Sequence, residues 1–318
     1  MLKLAIVGTG GISHAHLMAW AHVPEVQLVA ACDIRPEKVD PIALEKGAKA
    51  YYDFDEMLEN EEIDMLDICV PTYLHADFAI KAIERSIHVL TEKPISLHEA
   101  DVRRVYDAAK AHDVRVMVAQ VVRFWPEYVR LKEAFETGKY GKLLSGSMTR
   151  LGNTPKWSWE NWMLDKDKSG LVPFDLHIHD LDFMVYAFGA PNGVRCDRAR
   201  NARQDYIHAT YEYDDFFIVS EAAWYDCTYA FRSGYRFQFE LAVMEYVNKQ
   251  LRIYHQNGDS EVIEPETGEV NGINLPATTA YYHEIRYFTD CVLDGKNCDV
   301  VKPEELETVL RCIDQLEI

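Results

Sequence analysis

The chain predicts an α/β protein in two parts: an N-terminal doubly wound parallel sheet, then a C-terminal α/β domain with a large open, mostly antiparallel sheet. Three observations carry that expectation. An apolar run, Leu2 to Val7, breaks at once into Gly8-Thr9-Gly10-Gly11-Ile12-Ser13, and the next apolar run ends on Asp33. Short apolar strands then alternate with helical patterns as far as Val118, the rhythm of βαβ units. From about Leu143 the texture changes to long runs of period two, as in a sheet whose faces differ.

The opening unit has the outline of a dinucleotide site. Glycine is required where a strand turns directly into a helix and a pyrophosphate lies against bare backbone, and Gly8 and Gly10 meet that demand. A helix opening near Gly11 offers its free N–H groups and dipole to the phosphates. Ser13 takes the third glycine position with a small side chain. Asp33, about 20 residues beyond the glycines, is placed to accept from both ribose hydroxyls. It also repels the extra phosphate of NADP, so NAD is expected; Arg35 beside it keeps NADP open. The plainer reading is a Gly-rich turn in some other α/β protein, and the flanking strand, helix and acid argue against it.

Met65 to Val70 reads as a strand ending in Pro71-Thr72, and His75 to Ser86 as a helix with Ala76, Ala79, Ile80 and Ile83 on one side. The strand Ile87 to Leu90 runs into Glu92-Lys93-Pro94, then come a helix from Leu97 to His112 and a strand from Arg115 to Val118. Ligands of such sheets bind beyond the carboxyl ends of the strands, where Gly8, Asp33, Pro71 and Lys93 all fall. Lys93 is therefore expected to face the crevice rather than be a solvated surface lysine. The domain change is placed near Ala119 to Phe124, giving a cofactor domain over 1–120 and a substrate and oligomerisation domain over 121–318. In the latter, Leu144 to Leu151, Ile207 to Tyr213, Phe216 to Trp224 and Tyr235 to Val243 read as strands, with a hairpin turn at Asp214-Asp215. A sheet this aromatic is expected to pair subunits into a homodimer or homotetramer, against the alternative of a helix-covered sheet.

Ser169 to Gly189, taken as one helix, stacks Phe174, Ile178, Leu181, Val185 and Phe188 in a buried stripe, with Asp175, His179 and Asp182 rotated by one residue. A carboxylate and an imidazole one turn apart at that border are close enough to interact, and a neighbouring charge can tune the histidine for proton transfer. Blander readings are a capping aspartate and a structural histidine. Metal ligation by Asp175, His177, His179 and Asp182 is set aside, because His177 and His179 cannot share a helical face; no metal is expected.

Composition narrows the class. With 318 residues and 48% hydrophobic content the chain is long enough for one large or two ordinary domains, and no apolar run approaches a membrane span. Met1-Leu2-Lys3-Leu4 runs straight into a strand with no export signal apparent, so a cytoplasmic location is expected. Seven scattered cysteines without a C-x-x-C pair fit reduced thiols. A net charge of −19 argues against a nucleic-acid partner.

The chain resembles the Gfo/Idh/MocA oxidoreductases, named for glucose-fructose oxidoreductase and inositol dehydrogenase. Carrying the resemblance are the Gly8 to Ser13 turn, Asp33, the Pro-x-x-x-His segment Pro71 to His75, Glu92-Lys93-Pro94, the Arg-Phe-x-Pro stretch Arg123 to Pro126, and the Asp-x-x-x-His pair Asp175 and His179. It implies a Rossmann domain, a C-terminal α/β domain with an open sheet, and reversible hydride transfer between a nicotinamide and a secondary alcohol of a sugar or cyclitol. Cofactor contacts are then expected at Gly8, Thr9, Gly10, Gly11, Ile12, Asp33, Ile34, Arg35, Val70, Pro71, Thr72, His75, Glu92 and Lys93. Substrate contacts are expected at Lys93, Arg123, Arg150, Trp159, Trp162, Asp175, His179 and His283, with Trp157 in the same loop. An alcohol loses hydride only as its hydroxyl proton leaves; His179 is the expected base, Lys93 the donor to the same oxygen and Asp175 the orienting group. Leu171 departs from the family, which often has glycine there. Two other functions stay open: a glycoside hydrolase that oxidises its substrate transiently, and a non-catalytic nicotinamide sensor, against which Lys93, Asp175 and His179 together speak.

Overall fold

The structure, a computed structural model, describes residues 1–263 and 280–316. These fall into two compact units, Met1–Val121 with Ala280–Pro303, and Val122–Thr279 with Glu304–Ile318. No helix among the described residues is long and apolar enough to cross a membrane.

The first unit runs β1 (Leu2–Val7), α1 (Gly11–Trp20), β2 (Val26–Cys32), α2 (Pro36–Lys46), β3 (Lys49–Tyr51), α3 (Phe54–Asn60), β4 (Met65–Ile68), α4 (His75–Ile83), β5 (His88–Glu92), α5 (Glu99–Ala111) and β6 (Val116–Ala119). Its six strands lie in the order β3-β2-β1-β4-β5-β6, all parallel. The order reverses between β1 and β4, which is where such sheets bind dinucleotides. Helices cover both faces, so β4 is buried at every position and reads as an apolar run interrupted only by Asp67.

The sequence reading assigned everything beyond 121 to the second domain, yet the helix Ala280–Asp294 packs against α1 in the first unit. Its reason lies in α1, which buries Ser13, Ala15, His16, Leu17, Ala19 and Trp20, more than one sheet-facing stripe can account for.

The second unit contains α6 (Pro126–Thr137), β7 (Leu143–Asn153), α7 (Lys166–Ser169), α8 (Ile178–Phe188), β8 (Gly193–Arg200), β9 (Asp205–Glu212), β10 (Phe217–Tyr225), β11 (Arg232–Phe239), β12 (Ala242–Val247), β13 (Gln250–His255) and β14 (Ser260–Ile263). The eight strands order as β14-β13-β12-β11-β7-β10-β9-β8; β7 and β10 are parallel and every other pair antiparallel. The Asp214-Asp215 turn joins β9 to β10 as expected. The expected single strand Tyr235 to Val243 is instead two. Tyr235, Phe237 and Phe239 are buried before Glu240-Leu241, and Ala242, Met244 and Tyr246 after it. That change of phase from odd to even marks a hairpin with an exposed Leu241.

A second correction concerns Ser169 to Gly189. Gly170 and Leu171 both take left-handed φ, 69° and 63°, ending α7; a π-turn over Pro173–His177 follows and only then α8. Two successive left-handed residues cannot continue a right-handed helix. A Cβ on Gly170 would meet the Phe174 ring at 2.2 Å, so glycine is required there.

Gly8 has φ 85°, and a Cβ on it would lie 2.5 Å from the Cys69 carbonyl and 2.6 Å from the Val70 nitrogen. Gly8→Ala is expected to destabilise the first unit by about 2 kcal/mol or more, since the φ penalty alone is of order 1–2 kcal/mol. Thermal unfolding checks this, with Gly10→Ala as the milder control because its Cβ meets nothing within 4 Å.

Candidate active site

At the end of β1 the backbone turns through Gly8-Thr9-Gly10 into α1, whose N-cap, Gly10, makes no side-chain cap. A Cβ on Gly10 or Gly11 would face open space, leaving the first N–H groups of α1 accessible to a phosphate. These residues fit a pyrophosphate.

Asp33, at the end of β2, is nearly saturated by the protein. Its Oδ2 accepts from the Thr9 N–H at 2.9 Å, the Thr9 hydroxyl at 3.1 Å and Arg35 Nη2 at 2.9 Å; its Oδ1 accepts from Arg35 N at 3.0 Å and Nε at 2.9 Å. Burial opposes the charge, but the Arg35 side chain and the two backbone N–H groups outweigh it and hold the carboxyl below the usual range. A carboxylate offers about four lone-pair sites. For a ribose to use this one, the Arg35 guanidinium must let go. Ile34 is 64% exposed beside it, while Val70, Pro71 and Ile12 are half-buried and Thr72 buried.

Two residues expected at the cofactor prove to be internal. His75 is 1% exposed, with Nδ1 2.6 Å from the Pro94 carbonyl and Nε2 2.7 Å from the Val70 carbonyl. Both neighbours are acceptors, so the ring satisfies both only when doubly protonated, against burial, which pulls its pKa below the usual value. Glu92, 8% exposed, accepts the Lys93 backbone N–H on Oε2 at 3.0 Å and faces His16 Nε2 at 3.1 Å on Oε1. Both bear on the backbone around half-buried Lys93.

The residues that sequence reasoning missed lie here. His16, on α1, faces Asp67 through Nδ1 at 2.9 Å, and Asp67 also accepts from Trp20 Nε1 at 2.7 Å. The available signal was Asp67 itself, a carboxylate inside an otherwise apolar buried strand.

In the second unit the π-turn carries Asp175 and the first turn of α8 carries His179. Over residues 171–185 only Asp175, Leu176 and His179 escape full burial. Asp182, expected beside them, points inward with Asp180. His177 is fully buried, its Nε2 2.5 Å from the Tyr211 hydroxyl and its Nδ1 3.3 Å from Ser220 Oγ. Burial and then Arg150 push its pKa down to about 3.

Arg123 and Arg150, expected to meet substrate, are instead spent on these buried acids. Arg123 Nε and Nη2 donate to the two Asp182 oxygens at 2.7 and 2.6 Å, Nη1 pairs with Glu305, and the guanidinium lies over the Tyr186 ring at 4.7 Å. Arg150 Nη2 donates to Asp180 at 2.7 Å. Buried cations require such partners, and bidentate pairing leaves little for a ligand. Trp157 is 73% exposed; Trp159 and Trp162 are half-buried, in a 3-10 segment Trp159–Leu164, with Trp162 packed against Met163, Leu171 and Trp224. His283 is exposed on the helix Ala280–Asp294.

The profile described as an oxidoreductase family with an NAD-binding Rossmann fold matches residues 2–120, and that of the GFO/IDH/MocA C-terminal domain matches residues 128–255. The chain belongs to the Gfo/Idh/MocA family. Among the family's curated proteins, a myo-inositol 2-dehydrogenase of Thermotoga maritima is 30% identical over 190 residues, 59% of this chain and 55% of that enzyme. An inositol 2-dehydrogenase of Salmonella typhimurium is 29% identical over 305 residues, 93% of this chain and 80% of its own. The first curated relatives are matched over little more than half their length. A levoglucosan dehydrogenase solved with NADH and levoglucosan has the same fold, with a TM-score of 0.85, 18% identity, and coverage of 99% of this chain and 96% of that one.

Two outcomes separate structural from ligand roles in this family member. Arg123→Met, which strands Asp182, is expected to cost about 3–5 kcal/mol of stability, measured by denaturant unfolding. His177 stays neutral in the fold at pH values where the unfolded chain takes up a proton, so stability falls as pH drops from about 6.5 towards 3. In His177→Asn the thermal midpoint should fall less steeply over that range.

Proposed function

We propose that the protein is an NAD-dependent dehydrogenase that moves a hydride between the nicotinamide and a secondary alcohol of a sugar, cyclitol or related polyol. The observation that carries this reading is selective exposure. Along the segment from 171 to 185 only Asp175, Leu176 and His179 escape burial, two of them polar, and Lys93 keeps solvent access at the end of β5. Relatives named inositol dehydrogenases support the substrate class.

NAD, when bound, supplies the hydride acceptor. The open N-terminus of α1 would hold its pyrophosphate, and Asp33, once released by Arg35, would accept from the ribose. His179 takes the hydroxyl proton of the alcohol as hydride leaves, because the carbinol cannot become a carbonyl while that proton remains. The Lys93 ammonium donates to the same oxygen and stabilises the charge that develops on it. Asp175 orients the histidine and the substrate. Trp157, Trp159 and Trp162 offer ring faces to the apolar side of the polyol. Seven free thiols and the composition support a cytoplasmic location. The partly exposed Leu144, Phe217, Val247 and Tyr254 support pairing of copies through the open sheet.

Absorbance of NADH during incubation with NAD and a panel of cyclitols, aldoses and sugar acids tests this reading. A rise with one polyol is expected; turnover without accumulated NADH, or none on any polyol, overturns it. Lys93→Ala and His179→Ala should each lower kcat by about 10²- to 10⁴-fold with little change in NAD affinity. Asp33→Ala should weaken NAD binding by about 10- to 100-fold, the worth of hydrogen bonds to a charged group, measured by NAD titration.

A further inference from the structure

Beneath the cofactor turn lies a chain of polar groups that hydride transfer does not itself require. Asp67 accepts from Trp20 Nε1 and from His16 Nδ1, at 3.0 Å on Oδ1 and 2.9 Å on Oδ2, and the Cys69 thiol lies 3.6 Å from Oδ1. His16 Nε2 faces Glu92 Oε1 at 3.1 Å, and Glu92 Oε2 accepts the Lys93 backbone N–H at 3.0 Å. The His16 and Asp67 side chains have no exposure and that of Glu92 has 11%. The path runs from the middle of α1, across β4, to the backbone of Lys93.

We propose that His16 is a positioning residue for Lys93: by bridging Asp67 and Glu92 it holds the Glu92 carboxylate, and through it the Lys93 backbone, in register. The proposal rests on the reading of Lys93 as the donor to the substrate oxygen. Each ring nitrogen faces a carboxyl oxygen, so a doubly protonated ring donates to both at once. Groups from every neighbouring element bear on it: Asp67 and Cys69 from β4 and its end, Glu92 from β5, and the Tyr281 ring at 5.8 Å from the helix Ala280–Asp294. Burial opposes the charge, yet Asp67 raises the His16 pKa well above the ordinary value. Burial pushes the Cys69 thiol up to about 12, so it stays protonated beside Asp67. On the far side of Lys93, His75 holds the Pro94 carbonyl. Lys93 is thereby splinted at both ends while its side chain keeps access to solvent.

Removing the ring takes from Asp67 and Glu92 the donor they share, and Glu92, the acceptor of the Lys93 N–H, loses the partner that holds it in place. Three measurements test the bridge. In the ¹⁵N spectrum of the cofactor-free protein, His16 should retain two protonated ring nitrogens at a pH of about 8, above the unperturbed histidine value; a neutral ring there overturns the proposal. In trace acetylation, the reactivity of Lys93 relative to exposed Lys296 should change in His16→Gln; an unchanged ratio overturns it.

The third measurement is kinetic. His16→Gln should lower kcat by about 10- to 100-fold, the scale of a small misplacement, with KM and NAD affinity unchanged. The same substitution made in Lys93→Ala should cost nothing further. An equal loss in both backgrounds means a general structural effect and overturns the proposal. Where His16→Gln does not fold, Glu92→Gln, which keeps an oxygen for the Lys93 N–H without its charge, must show the same non-additivity. Because the spectrum and the acetylation need neither cofactor nor substrate, a wild-type protein that oxidises no polyol refutes the dehydrogenase reading without deciding the bridge.

Discussion

The close approach of the first turn to the end of β4 is the constraint on which the first unit depends. A hydrogen in place of Cβ at Gly8 lets the turn lie against the Cys69 and Val70 backbone, while the β1–β4 register pairs Ile6 with Asp67 and Val7 with Ile68. That register sets the end of β4 beside the phosphate-binding turn. The next register, Ile68 with Thr91, sets Glu92 and Lys93 one strand further on. Two parallel pairings thus bring a cofactor turn, a buried carboxylate and a half-buried lysine to one end of a sheet.

Buried charge does the corresponding work in the second unit. A buried ion pair is weak evidence for stability, because desolvation can exceed the Coulombic gain, but it is demanding about geometry. Asp180 is tied to Arg150 on β7, and Asp182 to Arg123, which also reaches Glu305 on the helix Pro303–Asp314. For both acids burial raises the pKa and the arginine opposes it. Pinned at two inward positions, α8 cannot rotate without stranding a charge. His179 therefore keeps its partial exposure.

Much of this was legible in local signals. The strand ends, the glycine turn, Asp33 and Lys93 follow from periodicity and from the backbone a dinucleotide site needs. The mixed use of arginine was not. Arg123 and Arg150 have the chemistry of anion binders, and only the fold supplies the carboxylates that consume them, 59 and 30 residues away along the chain. His75 and Glu92 carry the same lesson: each sits in a motif at a strand end, and its polar atoms turn inward to the protein's own backbone and to His16.

By itself the sequence determined most of the elements and their order, because an apolar period of two or 3.6 is a property of neighbouring residues. It determined the cofactor turn as well, since glycine there answers a purely local demand. Tertiary structure decided three other matters. It gave the helix Ala280–Asp294 to the first unit, it broke the segment after Ser169 with two left-handed residues and a π-turn, and it joined His16 to Glu92 across 76 residues. Periodicity says which face of an element is buried; it does not say what that face will meet.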